Sequence, residues 1–366
     1  MVEKRKGGLS ALVARDYKLD IIKHDLPDEY AAPGDTARVI KDMQIAVGLN
    51  RDFVDSGYQV TPDNNPGLGY ILSVAPGIAR WLQSSKISSS LALDPFYMPV
   101  PGFISSVHTV DPKSTVWLAN KPLCVALRAR AKIEQQIYYN YIDQTDWLVV
   151  AAGRGRYPLT AAAKAKIAGH CGPHITFVDI DSIALHQIQG LAYDCVYPAV
   201  SLVDRDILDL KGFCRQRAEV RLLRRLATGK WPLDTPTTIR HGHYGVVSSI
   251  GMSMYIPDSV WDLTLPRKVL GRTTVKKAGV VEFYRSLWRH VKPGGIMMVD
   301  AINHGSPNNH VDLQLDTIQT IGWREMYQRS TEQVLDLAKR AGVDAVKIER
   351  HDSTGFFSIY VFYKKA

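Results

Sequence analysis

A short apolar run in this chain stops at two glycines, and a helix-forming stretch begins just beyond them. Trp147-Leu-Val-Val-Ala-Ala152 has the length and character of a buried strand. Gly153 and Gly155 end it, and after Pro158 the segment Leu-Thr-Ala-Ala-Ala-Lys-Ala-Lys-Ile-Ala is rich in the best helix formers. Strand, glycine turn and helix in that order commit the region to an α/β fold. The turn lets a ligand approach the backbone where a side chain would block it, and the helix N-terminus supplies unpaired N–H groups. A second buried strand, Ile175-Thr-Phe-Val-Asp179, ends in a carboxylate. At about 20–25 residues past the glycines, that carboxylate is placed to accept both hydroxyls of a ribose.

Three later stretches extend the pattern. Val203-Asp-Arg-Asp206-Ile-Leu-Asp-Leu closes a third strand, and Gly245-Val-Val-Ser-Ser-Ile-Gly-Met-Ser-Met-Tyr255 reads as a fourth. A fifth, Ile-Met-Met-Val-Asp300, follows Val291-Lys-Pro-Gly-Gly295. In this order the five segments resemble the class I S-adenosylmethionine-dependent methyltransferase family over residues 135–366, the Lys-Pro-Gly-Gly and Asp-Ile-Leu-Asp-Leu blocks being the more specific parts. The resemblance implies a doubly wound, mostly parallel seven-stranded sheet of Rossmann-like methyltransferase type. Phe356–Tyr363 is too apolar for a surface strand and is expected inside that sheet, in the final antiparallel pair.

The same resemblance assigns a cofactor, S-adenosyl-L-methionine, and a set of residues to hold it. Gly153 and Gly155 approach its carboxypropyl and ribose portions, Asp179 takes the ribose hydroxyls, and Ala152, Tyr157 and Ile180 complete that side. Asp206 accepts from the adenine amino group with Ile207 against the ring, Asp204 and Asp209 being the competing carboxylates. Asp181 is read as a cap for the helix that follows it. Ser248, Ser249, Gly251 and Tyr255 fall in the loop after the fourth strand, which differs most among relatives, and Ser249 and Gly251 are assigned to the cofactor as well. One position departs from the family. Its first strand ends in an acidic residue two positions before the first glycine, where this chain has Ala151. Arg154, Arg156, Tyr157 or residues of an added cap must then complete the contacts to the amino-acid end.

The catalytic candidates are His304, Tyr139, Asn140 and Ser249. An imidazole titrates near neutrality, so His304, in the polar loop Asn303-His-Gly-Ser-Pro-Asn-Asn-His310, is the candidate general base. Tyr139 and Asn140 end a helix that immediately precedes the first sheet strand, with aromatic packing against the sheet edge as the alternative role. His241-Gly-His243 lacks the carboxylate or cysteine pattern that would complete a metal site, so no metal is assigned.

The expected domains are an N-terminal arm and mainly helical cap over 1–120 and a Rossmann-like catalytic domain over 121–366. Helices are expected over Thr36–Leu49, Tyr70–Leu82 and Leu123–Tyr141. The four cysteines, Cys124, Cys171, Cys195 and Cys214, form no Cys-x-x-Cys pair and read as reduced thiols. No apolar run reaches membrane-spanning length and the N-terminus lacks the core of a signal peptide, so a cytoplasmic protein without a membrane partner is expected. The net charge of +9 raises nucleic acid as a partner. Its densest source, Arg215-Gln-Arg-Ala-Glu-Val-Arg-Leu-Leu-Arg-Arg225, has the spacing of an amphipathic helix with a solvated face.

Three functions follow. The first is methyl transfer to a small-molecule acceptor enclosed by the cap. The second attacks another carbon of the sulfonium, by aminocarboxypropyl transfer or by closure to azetidine-2-carboxylate, and releases methylthioadenosine. The third is an RNA-binding or RNA-modifying protein.

Overall fold

The apolar run before the glycines is a strand inside the main sheet. A computed structural model describes residues 35–50, 65–77, 112–153, 155–179, 181–194, 197, 199–204, 239–258, 261–263, 276–304, 311–320, 326–352 and 355–366. Arg154, Ile180, Asp206, Ile207, Asp209 and the basic stretch 215–225 lie outside the described residues.

Among the described residues four helices come first: α1 (Asp35–Leu49), α2 (Pro66–Val74), α3 (Pro112–Asn120) and α4 (Pro122–Asn140). An alternating series follows, with β1 (Asp146–Val150), α5 (Arg156–Ile167), β2 (His174–Asp179), α6 (Ser182–Asp194) and β3 (Val200–Asp204). Next are β4 (Tyr244–Ser249), β5 (Trp261–Leu263), β6 (Lys276–Ala278), α7 (Val280–His290) and β7 (Val291–Asn303). The chain closes with α8 (Val311–Thr320), β8 (Gln328–Arg329), α9 (Thr331–Arg340), β9 (Ile348–Asp352) and β10 (Phe357–Tyr363). The described residues fall into two compact units. One comprises those of Met1–Gln136, Ile302–Gln328 and His351–Ser358, the other those of Ile137–Ala301, Arg329–Arg350 and Ile359–Ala366. The expected cap covered 1–120 only.

In the first unit, α1 buries Val39, Met43 and Ala46, spaced as one helix face requires. Asp42 on the same helix accepts from Tyr70 Oη at 3.1 Å and from Trp117 Nε1 at 3.3 Å, which ties α2 and α3 to α1. The helix expected from Tyr70 starts earlier, at Pro66, because Asn65 caps it by accepting the Leu68 N–H at 2.8 Å. Lys121 is buried at the start of α4, its ammonium 5.5 Å from the centre of the Trp117 ring.

The second unit is built on the sheet, whose main path runs β3-β2-β1-β4-β7-β10-β9, with the two-residue β8 added beside β7. This is the doubly wound, mostly parallel arrangement of seven strands. The pairs β1–β2, β1–β4, β2–β3 and β4–β7 are all parallel. Strand order reverses between β1 and β4, so the crevice where an open α/β sheet binds ligands lies at their carboxyl ends. Leu148, Val150, Val247, Met297 and Val299 share one face and pack against Phe283, Tyr284 and Leu287 of α7. The buried run of β10 stands between β7 and β9, inside the sheet as its apolar character requires.

Two strands differ from their expected extent. Lys292-Pro-Gly-Gly295 belongs to β7 rather than preceding it. The β4–β7 register jumps there, from Tyr244 opposite Val291 to Val246 opposite Ile296. Gly294 takes φ 73°, and a Cβ on Gly295 would stand 2.8 Å from the Gly245 carbonyl. The Gly-Gly pair thus makes a bulge possible where two backbones nearly touch. The fourth strand, expected to reach Tyr255, stops at Ser249. Gly251 at φ 84° turns the chain into a short 3₁₀ helix, Ser253–Tyr255.

Candidate functional site

The glycine turn alternates backbone hands. Ala151, Gly153 and Gly155 take φ of 54°, 51° and 57°, and Ala151 is the only non-glycine in that region among the described residues. An L-residue there is strained by about 1–2 kcal/mol. The turn is closed by the Gly155 N–H donating to the Ala152 carbonyl at 2.8 Å, and anchored where the Ala152 N–H meets the Val178 carbonyl at 3.3 Å.

Asp179 ends β2 beside this turn and is 8% exposed. One carboxylate oxygen accepts the Gly153 N–H at 2.9 Å and the other the Asp181 N–H at 2.9 Å. One bond to each oxygen fixes the orientation of the carboxylate beside the turn. The two glycines have different uses. A Cβ on Gly155 would stand 2.8 Å from the Phe177 ring and 2.9 Å from Ile188, so its bareness serves the packing of β2 and α6 against the turn. Gly153 presents the N–H that Asp179 holds. Gly155 is also the residue that caps α5, and it has no side chain to satisfy the first N–H groups of that helix. Tyr157 lies half-buried in this first turn.

Across the strand reversal, Ser249 ends β4. It is fully buried, and its Oγ makes no hydrogen bond. Gly251 donates its N–H to Asp300 Oδ1 at 2.8 Å, and Ser253 Oγ donates to the Asp300 carbonyl. The loop from Ile250 to Asp258 is therefore fastened to the end of β7. Sequence reasoning marked Ser249 and Gly251 but missed Asp300, whose place at the close of a strand was the one signal available.

The end of α4 carries the other second-unit candidates. Tyr139 is 37% exposed and Asn140 is exposed, whereas Tyr138 is buried. The Tyr138 ring stacks on Trp147 at 5.1 Å, and its hydroxyl meets Ser248 Oγ at 2.5 Å. Aromatic packing at this end of the helix is thus done by Tyr138 and, just beyond it, by Tyr141, whose ring lies 6.1 Å from that of Tyr363, while Tyr139 is exposed.

His304 belongs to the first unit and is exposed just after β7. Asn303 before it is held firmly, donating from Nδ2 to the Gly355 carbonyl at 2.6 Å and accepting from Ser358 Oγ at 2.7 Å. His241 stacks edge-on against His290 at 4.8 Å, and His243 lies 3.7 Å from Asp146 at the start of β1. No group of three or more metal-ligating side chains is found among the described residues.

No protein-family model matches the chain, and no curated protein matches it. Solved structures do. A protein described as a possible exported protein from Bordetella parapertussis is 19% identical, with 92% of this chain and 97% of that one covered and a TM-score of 0.56. That likeness establishes a shared fold. Many further neighbours are class I S-adenosylmethionine-dependent methyltransferases of low sequence identity. An O-methyltransferase family protein from Burkholderia thailandensis is 10% identical over 100% of this chain and 95% of that one, with a TM-score of 0.44. Magnesium protoporphyrin IX methyltransferase from Synechocystis PCC 6803, solved with bound S-adenosylhomocysteine, is 10% identical over 66% and 87%, with a TM-score of 0.41. No helix among the described residues is long and apolar enough to cross a membrane.

Proposed function

We propose that the chain is an S-adenosylmethionine-dependent methyltransferase acting on a small-molecule acceptor. The observation that carries this reading is the Asp179 carboxylate, fixed at the carboxyl end of β2 by the N–H groups of Gly153 and Asp181. A carboxylate ending the second strand beside a glycine turn suits a pair of vicinal hydroxyls. Asp179 would hold the ribose, the Ala152–Gly155 turn the amino-acid portion, and Asp206 with Ile207 the adenine. When bound, S-adenosylmethionine supplies a methyl group already activated by its sulfonium. The protein's own task is then orientation of an acceptor in line with that methyl, exclusion of water and removal of one proton. Contact with the reacting groups is assigned to Tyr139, Asn140 and Ser249.

Attack on another carbon of the sulfonium is the second reading, favoured by one observation. Ala151 offers only a methyl group, in a left-handed conformation, where the family places a carboxylate for the amino-acid end. An amino-acid end without that anchor has more freedom to react.

Calorimetry with S-adenosylhomocysteine tests the shared part of both readings. Saturable binding by the wild type is expected, and its absence would remove the proposal. Mass spectrometry after incubation with S-adenosylmethionine alone separates the two chemistries. Methylthioadenosine accumulating without an added acceptor selects the second; cofactor left intact until an acceptor is supplied selects the first.

A further inference from the structure

The loop after β4 is gripped at both ends by charged side chains from two strands that pair with each other. Asp300 comes from β7, one residue beyond the Val299 that pairs with Ser249. Its carboxylate takes the Gly251 N–H and its carbonyl takes the Ser253 hydroxyl. Arg329 comes from β8 and is fully buried. Its Nε donates to Asp258 Oδ1 at 2.7 Å, Nη1 to the Ser253 carbonyl at 2.9 Å and Nη2 to the Ile256 carbonyl at 2.5 Å. Ser253 is therefore held twice, by its hydroxyl from one side and its carbonyl from the other. Tyr284 of α7 lies among the same groups. Burial pushes its phenol up to about 12, against the opposing pull of the Arg329 charge, so it stays a neutral phenol through the physiological range.

Stability alone does not call for this construction. Burying a guanidinium carries a desolvation cost that pairing with a half-exposed carboxylate seldom exceeds, and an apolar residue of similar volume stabilises a fold at least as well. What a buried arginine gives that an apolar residue cannot is direction. Its planar fork fixes three acceptors, on Ser253, Ile256 and Asp258, in one geometry. That stretch immediately follows Ser249 at the strand reversal, where the proposed function places the acceptor.

We propose that Arg329 and Asp300 are positioning residues that hold the loop Ile250–Asp258 as a preformed wall on the acceptor side of the site. The inference rests on the proposed function for the word acceptor; the fastening of the loop stands on its own. On this account the two side chains set how the acceptor is presented and leave the Asp179 side of the cofactor site intact; only the contact expected at Gly251 is loosened, so cofactor affinity falls less than about tenfold.

The test compares wild type with Arg329→Lys, Asp300→Ala, Asp300→Asn and Asp258→Asn. Hydrogen exchange is followed peptide by peptide, and S-adenosylhomocysteine is titrated by calorimetry. Lysine keeps the charge but cannot span three acceptors, so exchange over 250–258 should rise about tenfold or more in Arg329→Lys, with peptides over 146–153 and 174–179 within about twofold of wild type. Asp300→Ala should loosen the same peptide. Asp300→Asn keeps an oxygen for the Gly251 N–H and should restore most of the protection, a rescue that a simple packing role would not show. Asp258 is 47% exposed, so Asp258→Asn leaves the core intact and covers the case in which a buried substitution prevents folding. Unchanged exchange over 250–258 in all four variants would overturn the inference, as would a rise spread evenly over the whole sheet. A drop of more than about tenfold in S-adenosylhomocysteine affinity, with the loop loosened, would reassign the pair to the cofactor. Wild-type protein that binds no S-adenosylhomocysteine would sink the functional reading and leave the exchange result to judge the loop by itself.

Discussion

Ala151 and Gly155 share a backbone hand but not a reason for it, and substitution should separate them. Gly155→Ala forces a Cβ into φ 57° and against Phe177 and Ile188. Chemical denaturation should show a loss of about 2–4 kcal/mol. Ala151→Gly removes the steric cost of a left-handed alanine while freeing the unfolded chain, so a net gain of about 0.5 kcal/mol is expected. Asp179→Ala should weaken S-adenosylhomocysteine binding about 30-fold or more in a calorimetric titration, the scale of losing charge-assisted hydrogen bonds. An unchanged affinity would remove the carboxylate from the site. At this scale the sequence was most legible where a residue has no substitute. The two glycines and the strand-ending Asp179 stood out because few other residues serve those positions. Asp300 did not, since an aspartate closing an apolar strand looks the same whether it faces solvent or holds the next loop. Lys121 escaped notice for a similar reason. Burial holds its ammonium below the ordinary lysine range, with Trp117 as its neighbour. A lysine whose folded-state value is depressed costs stability wherever it must be charged when unfolded, and that cost fades as pH rises toward 10.5. Lys121→Met should therefore be the more stable protein near neutrality, by about 1 kcal/mol or more, with its advantage over wild type shrinking in alkaline denaturation series.

Elements were legible where periodicity decides them and illegible where a single contact does. The spacing of Val39, Met43 and Ala46 announces α1, and the unbroken apolar run of β10 announces a strand covered on both faces. The start of α2 was misplaced because Asn65 and Pro66 read as part of a loop, although together they form a cap and a first turn. The bulge in β7 was missed because Lys-Pro-Gly-Gly signals a turn in any local reading; only the nearness of Gly245 turns it into an irregular strand. The end of α4 shows the same dependence on a distant partner. Three tyrosines flank Asn140: helical spacing directs Tyr138 at Trp147 and Ser248, Tyr141 just beyond the helix meets Tyr363, and Tyr139 is exposed. Tyr138→Phe leaves the Ser248 hydroxyl buried without that partner. It should cost about 1–3 kcal/mol in thermal or chemical unfolding, while Tyr139→Phe, at an exposed position, should stay within about 0.5 kcal/mol.

For the whole molecule, strand order was the most legible feature and the acceptor the least. Alternating strands and helices leave few topologies open, and the reversal between β1 and β4 then fixes where a ligand binds. The acceptor of the proposed function would be selected by loops, which no periodicity describes. Net charge is the remaining global clue, and it divides two kinds of partner by their response to salt. A surplus of +9 attracts any polyanion, so a mixed RNA should bind at low ionic strength. If that attraction is a general field effect, a few phosphates are neutralised at a time, and raising salt from 50 to 200 mM should weaken it by about 10–100-fold. On the proposed function, binding of S-adenosylhomocysteine rests on hydrogen bonds at Asp179 and the turn, and it should change less than about twofold across the same range. Filter binding and calorimetry on one preparation would measure both. RNA affinity that survived at 200 mM salt, together with undiminished S-adenosylhomocysteine binding, would move the acceptor from a small molecule to a nucleic acid. Asp179 and the glycine turn would keep the same role in either case.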